Sequence, residues 1–410
     1  MTVTGQQKIK ERLYSIDLLR GMVMMIMLLD HTRDFVHAGG MSSDPTDLST
    51  TTIPLFFTRW ITHYCAPAFV FLSGVSVYLQ KMKGKPTGEL ARFLVTRGLW
   101  LILMEFTVVR FGFVFNLDYS FFGVAQVIWV IGVSMIIMAG LIYLPIGAIA
   151  VYGFVLVLFH NLLDRFQVPP NVAFASQPPP DAGQILWFVL HQQGGVPLFG
   201  GATVAFVLYP LIPWTGVMAI GYVVGSVYTW DAARRQKWLL RAGGIATAAF
   251  IMLRLINIYG DPSQWSYQER GGTFTFLSFL NTTKYPPSLF FLLMTLGPSM
   301  IVLALTDRID GKAIWQRICI TFGRVPMFYY LLQFPLAHAL AIILSYLAGK
   351  ETGYFFMNFP ASAAATPPDA GFSLAVVYGV WATGLLILFP LCLWWGNLKR
   401  RNKHWILSYL

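Results

Sequence analysis

The sequence predicts an all-α fold, a polytopic transmembrane helical bundle of about ten spanning helices with both termini cytoplasmic. Three observations carry that expectation. Hydrophobic residues make up 56% of the 410-residue chain and charged residues only 11%, against roughly 25% charged in a soluble domain. Too few polar side chains remain to cover a water-facing surface, and mean hydropathy is +0.61. Apolar runs long enough to cross a bilayer recur along the whole chain. Basic residues gather in alternate loops. The net charge of +11 is therefore read as membrane orientation rather than as affinity for nucleic acid. Cys65, Cys319 and Cys392 have neither an even framework nor ligand spacing, so no disulfide and no metal site is expected.

The apolar runs lie near 14–37, 54–80, 88–115, 122–141, 145–163, 203–228, 236–259, 286–306, 320–348 and 371–397. Each approaches the roughly 20 residues that a spanning helix needs. The first follows a polar, basic opening and carries Asp17 and Arg20 with no small-residue cleavage site, so it reads as a retained helix rather than a signal peptide. The segment 164–202 is the one long polar excursion, rich in Pro and Gln, and is expected to fold over one mouth of the bundle. With no repeat or soluble module visible, residues 1–410 read as a single domain. Lys8, Lys10 and Arg12, the loops around 81–92, 234–237 and 308–317, and the tail at 399–403 hold Lys and Arg. The intervening loops hold Asp44, Asp47, Asp118, Asp181, Asp261 and Glu351. That alternation predicts the orientation.

Charged groups inside a span are costly unless paired or hydrated, so they mark candidate sites. The first helix contains Asp17, Arg20, Asp30, His31, Arg33 and Asp34. At about 100° per residue, Arg20 and His31 lie about 20° apart around the axis, with Asp17 and Asp34 within about 60° of His31. Asp30 falls off this stripe and Arg33 points the other way. A histidine near neutral pKa can take a proton from a nucleophile and return it to a leaving group. A carboxylate one turn away, Asp34, can hold its tautomer.

The stretch RLYSIDLLRGMVMMIMLLDH resembles the opening signature of membrane-bound acyltransferases that work on glycans outside the cytoplasm. In those families an Asp-x-x-Arg begins the first helix and a histidine follows after ten intervening residues, here Asp17, Arg20 and His31. The stretches at 59–76, 209–225, 281–298 and 322–340 are similar to bacterial relatives of heparan-alpha-glucosaminide N-acetyltransferase. The resemblance implies transfer of an acetyl group from cytosolic acetyl-CoA to an amino sugar or glycan on the far side of a bacterial inner membrane. It also implies a choice of histidine. In the animal lysosomal enzyme the residue at the place of His31 is not histidine, and the reactive one lies further along the first lumenal segment, where His37 is the nearest counterpart. His31 is favoured because it shares a face with Arg20.

Other polar residues at membrane depth extend the candidate site. Arg59 and His63 are one helical turn apart and can face a common cavity. Arg110, Arg254 and His338 are expected in the outer halves of their helices, where cations can stabilise the oxyanion of acyl transfer. Asn281, Lys284 and Tyr285 precede Pro286-Pro287, which places Lys284 at the outer mouth to meet a substrate carboxylate or phosphate. Trp214, after Pro213, offers a face on which a sugar ring can stack. At the inner side Arg92 and Arg97 suit the phosphates of CoA, and Arg324 is the candidate for the donor tunnel. The lipid bilayer, acyl-CoA and a glycan acceptor are the partners expected; a homodimer is left open. Two other readings stay open. A secondary transporter can use a buried Asp/His/Arg path, and histidines on two helices can hold a haem.

Overall fold

The computed structural model describes residues 13–40, 42–170, 178–402, 404 and 407. Of the residues used to argue orientation, Lys8, Lys10, Arg12 and Lys403 lie outside these, as does 171–177 of the polar excursion. The described chain is predominantly helical, and each expected apolar run contains a helix. Among the described residues six helices are long and apolar enough to cross a membrane: Ile53–Met82 taken through its break, Ile146–Arg165, Leu211–Thr229, Ala232–Ile256, Pro326–Leu347 and Leu374–Arg401. Val127–Leu141 and Leu289–Leu305 are apolar but shorter. The first helix, α1 (Tyr14–Val36), and α4 (Thr87–Met104) are long enough, but α1 carries Asp17, Arg20, Asp30, Arg33 and Asp34 and α4 carries Glu89, Arg92 and Arg97. The protein is an integral membrane helical protein.

Two departures from the expected all-α pattern bear on the site. First, a small sheet forms from β1 (Phe121–Ala125), β2 (Gly194–Leu198) and β3 (Thr203–Val207), in the order β1-β3-β2. β1 runs parallel to β3 and β2 antiparallel to it. The runs at 122–141 and 203–228 thus begin as strands. Their first residues alternate in burial, and a strand buried on one face needs that period of two. The excursion is tied back to the turn 160–165, where His191 Nε2 lies 2.8 Å from Asp164 Oδ1. Second, the run at 54–80 breaks at His63–Tyr64 into α2 (Ile53–Thr62) and α3 (Cys65–Met82). Pro67 has no N–H to give the His63 carbonyl four residues back, so the helical ladder is interrupted there.

Small residues let the helices meet backbone to backbone, the usual solution where lipid supplies no hydrophobic drive. α1 crosses α13 (Ile314–Gly323) so closely that a Cβ on Gly21 would stand 1.8 Å from the Cys319 carbonyl oxygen, and one on Gly323 1.8 Å from that of Asp17. α3 packs the same way on α9 (Leu211–Gly225) through Gly74 and Gly221. α1 also packs on α14 (Pro326–Leu347) and α16 (Leu374–Arg401), which makes it a central helix.

Candidate active site

α1 presents two polar clusters, one at each end. Toward its start Arg20 donates to the Gly323 carbonyl (3.2 Å) and to Ser76 Oγ (3.2 Å), with Asp17 Oδ1 at 3.5 Å. The close crossing at Gly21 and Gly323 holds α13 within reach of this guanidinium. Directly beyond Gly323 a cavity of about 230 Å³ is lined by Arg324, Lys399, Arg400, Thr321 and Asn397, with Cys392 and Leu393 as its apolar wall. Arg97 acts electrostatically on Lys399. Arg324 lines this cavity and Arg97 acts on Lys399 at its edge without lining it, whereas Arg92 projects from the exposed face of α4 and does not line it. In the sequence alone Lys399 and Arg400 signal only orientation.

At the other end His31 and Asp34 stand one turn apart, Nδ1 to Oδ2 3.6 Å. His31 rests on Phe334 of α14, ring centroids 4.1 Å apart. One turn further out His338 stacks on Phe35 at 4.5 Å and on Phe115 at 4.4 Å, and its Nδ1 faces the Gly112 carbonyl at 3.2 Å. His338 is therefore a neighbour of the His31 face, but it is wedged between aromatic rings and buried rather than presented as a cation.

The chief correction concerns Asp30 and Arg33. The helical angles set both aside; the structure buries both. Asp30 accepts from Arg59 Nη1 through both oxygens, at 2.7 and 2.5 Å, and lies 3.4 Å from Arg33 and 3.9 Å from Lys284 Nζ. Arg33 also donates to Asp34 at 2.5 Å. Three cations from α1, α2 and the loop before α12 (Leu289–Leu305) thus enclose two carboxylates. Angles on one helix cannot foresee this, because the partner of Asp30 comes from another helix. His63, buried in the turn between α2 and α3, lies in the field of Lys284, Arg59 and Asp30, against the ring of Phe291 at 5.3 Å. Tyr285 lies beside Lys284, whose Nζ is 5.1 Å from its ring centre, and its ring is 5.4 Å from that of Tyr209. Burial would raise the Tyr285 phenol, but the Lys284 and Arg59 cations outweigh it and hold it below its ordinary value. The structure thus brings Arg59, His63, Lys284 and Tyr285 together with His31 and Asp34.

Several expected site residues are used elsewhere. Arg110 donates to the carbonyls of Asn116, Asp118 and Phe121 and to Asn358 Oδ1, fastening the loop after α5 (Arg110–Val114). Arg254 donates to the carbonyls of Ser263, Ser278, Phe279 and Asn281. Each guanidinium is occupied by the backbone it organises, so the expected ring of oxyanion-binding cations is not formed by them. Trp214 is fully buried against Tyr209, so it presents no open face to a sugar. Asn281 is spent on the Thr46 carbonyl at 3.1 Å. His37, just past the end of α1, forms a bridge with Phe372, and burial together with the Arg33 cation holds its imidazole below the usual histidine range.

Among the described residues no group of three His, Cys, Asp or Glu side chains has a metal-binding arrangement. What the residues can do is move a proton, at His31, and bind anions, at the two clusters of cations. A search among curated proteins finds no match. The catalytic region of heparan-alpha-glucosaminide N-acetyltransferase, taken as a family, matches residues 12–267. That span includes α1 with both its clusters, Arg59 and His63, and ends before Lys284 and Arg324. It covers more than half of the chain, which therefore belongs to the heparan-alpha-glucosaminide N-acetyltransferase catalytic family.

Proposed function

We propose that residues 1–410 form one membrane acetyltransferase domain that takes an acetyl group from acyl-CoA on the cytoplasmic side and passes it to an amino sugar or glycan outside, with both termini cytoplasmic in a bacterial inner membrane. The observation that carries this reading is the division of α1 into two ends. Arg20 adjoins a cationic cavity at one end, and the His31–Asp34 pair stands beside a buried ion cluster at the other. The phosphates of CoA suit Arg324, Lys399 and Arg400, with Arg20 above them.

In the reaction proposed, the acceptor nitrogen or oxygen attacks the thioester carbonyl carbon while His31 takes its proton. Asp34 stabilises the imidazolium that forms. Lys284 and Arg59 are the cations placed to favour charge on the carbonyl oxygen. As the carbon–sulfur bond breaks, the proton on His31 passes to the CoA sulfur, so no net proton is consumed. His37 is the alternative base. Its position against Phe372, outside the ion cluster, favours His31.

The test is free-thiol release from acetyl-CoA by the purified protein in liposomes, with glucosamine as acceptor. His31→Ala should remove coupled thiol release, a loss of at least 100-fold, while His37→Ala retains most of it. The reverse pattern moves the base to His37. Solute counterflow with no thiol release from any acceptor supports a transporter instead.

A further inference from the structure

α10 (Ala232–Ile256) buries only 22% of its apolar window, the same share as Ile146–Arg165 and Leu374–Arg401, so most of its length faces outward. Ile245 is 70% exposed and Met252 60%. Arg241, Ile245 and Met252 lie on one stripe, within about 40° of one another at 100° per residue. Where this apolar stripe ends, Arg234, Lys237 and Arg241 border a cavity of about 190 Å³ together with Trp230 and Trp238. The two indoles meet edge to face, ring centroids 6.2 Å apart, and the Arg234 guanidinium lies 4.4 Å from the Trp230 ring centre.

Among the described residues no acid satisfies these three cations. Among the described residues no side-chain ion pair or hydrogen bond uses Arg234, Lys237 or Arg241. The nearby Asp307 is engaged by Arg235 at 2.8 and 2.9 Å, and the Asp231 carboxylate caps α10 by accepting from the Arg234 backbone N–H. Three unpaired cations and a pair of interfacial indoles, continuous with a lipid-facing apolar stripe, match an amphiphile. Its phosphate would meet the cations, its glycerol the indoles and its acyl chains Ile245 and Met252.

We propose that this end of α10 is a binding site for an anionic phospholipid headgroup, separate from the cavity at Arg324. An ordinary topogenic charge cluster would need neither the cavity nor the indole pair. Because the ligand is a lipid, a soluble phosphate must not replace it.

The experiment uses the full chain purified in a neutral detergent and titrated with dioleoylphosphatidylglycerol, dioleoylphosphatidylcholine or sodium phosphate. Retained lipid is counted by native mass spectrometry and thermal stability is followed in parallel. Wild type should retain phosphatidylglycerol at least 10-fold better than phosphatidylcholine, with a rise in Tm that sodium phosphate does not produce. R234Q/K237Q/R241Q should lose that preference, while K312Q/R317Q, which removes exposed cations elsewhere, keeps it. K237Q alone serves if the triple variant aggregates, and should weaken retention several-fold. Equal retention by the triple variant and wild type overturns the proposal. An equal Tm rise with free phosphate assigns the site to a soluble anion and overturns the lipid.

Discussion

Asp30→Asn tests the buried cluster most directly. The carboxylate holds Arg59 through both oxygens and lies within 4 Å of Arg33 and Lys284. The Asp30 and Arg59 side chains are only 10% and 14% exposed, so water screens little of their interaction. Removing one partner of such a pair leaves the other charge uncompensated, at a cost of about 3–5 kcal/mol. With an unfolding entropy of about 2.1 cal/mol/K per residue over the chain, that loss corresponds to a fall in Tm of about 4–6 °C. The assay is thermal unfolding of the detergent-purified protein, alone and as a cycle with Arg59→Gln. The double variant should recover at least half of the loss, because its cation no longer stands unpaired, giving a coupling energy of about 1–3 kcal/mol. A D30N protein as stable as wild type, or a double variant that loses the sum of the two single losses, would refute the account of Asp30 as the counter-charge that holds this cluster.

Further expectations follow the same geometry. Gly323→Leu should part α1 from α13, since even a Cβ there would stand 1.8 Å from the Asp17 carbonyl oxygen; circular dichroism should show an early melting step, and wild-type melting would contradict the packing. Arg324→Gln should raise KM for acetyl-CoA about 10-fold, the loss of about 1.4 kcal/mol, with little change in kcat; an unchanged KM removes Arg324 from the donor site. Arg254→Ala leaves four carbonyls without their donor, at a cost of about 3 kcal/mol or more, and should make the 257–281 segment the first site of limited proteolysis. His37 titrates below an unfolded histidine, so the unfolded chain binds the proton first, and the stability His37 contributes is present above about pH 6.5 and lost as pH falls below it. Wild type should therefore lose more Tm than His37→Gln between pH 7.5 and 5.5; equal losses would contradict the lowered value.

The helices were legible in the sequence because long apolar runs favour helix, and every expected run contains one, although only six of the described helices are long and apolar enough to cross a membrane. The strands at 121–125 and 203–207 were not, since five residues of alternation at the edge of a long apolar run are hidden by it. On α1 the stripe of Asp17, Arg20, His31 and Asp34 was readable from the helical period. Asp30 and Arg33 were not: Asp30 takes its partners from α2 and from the loop before Pro286, and Arg33 is drawn into the cluster by Asp30 and Asp34 on its own helix. Arg110 and Arg254 illustrate the opposite error. Depth in the membrane made them site candidates, yet the positive ends of both side chains are consumed by carbonyls of their own loops. Spacing reveals which residues share a face, but whether a cation is free depends on backbone it meets only after folding.

The separation of the two clusters along α1 has a further consequence. Arg20 and His31 are eleven residues apart on one unbroken helix, about 16 Å of rise. A rigid rod of fixed length between an anion-holding end and a proton-accepting end works as a gauge. On the proposed reading, a carrier whose phosphates rest on Arg324, Lys399 and Arg400 would reach His31 with its thioester only if its arm spans that length. Shorter acyl thioesters would then be expected to fall short, whatever their intrinsic reactivity.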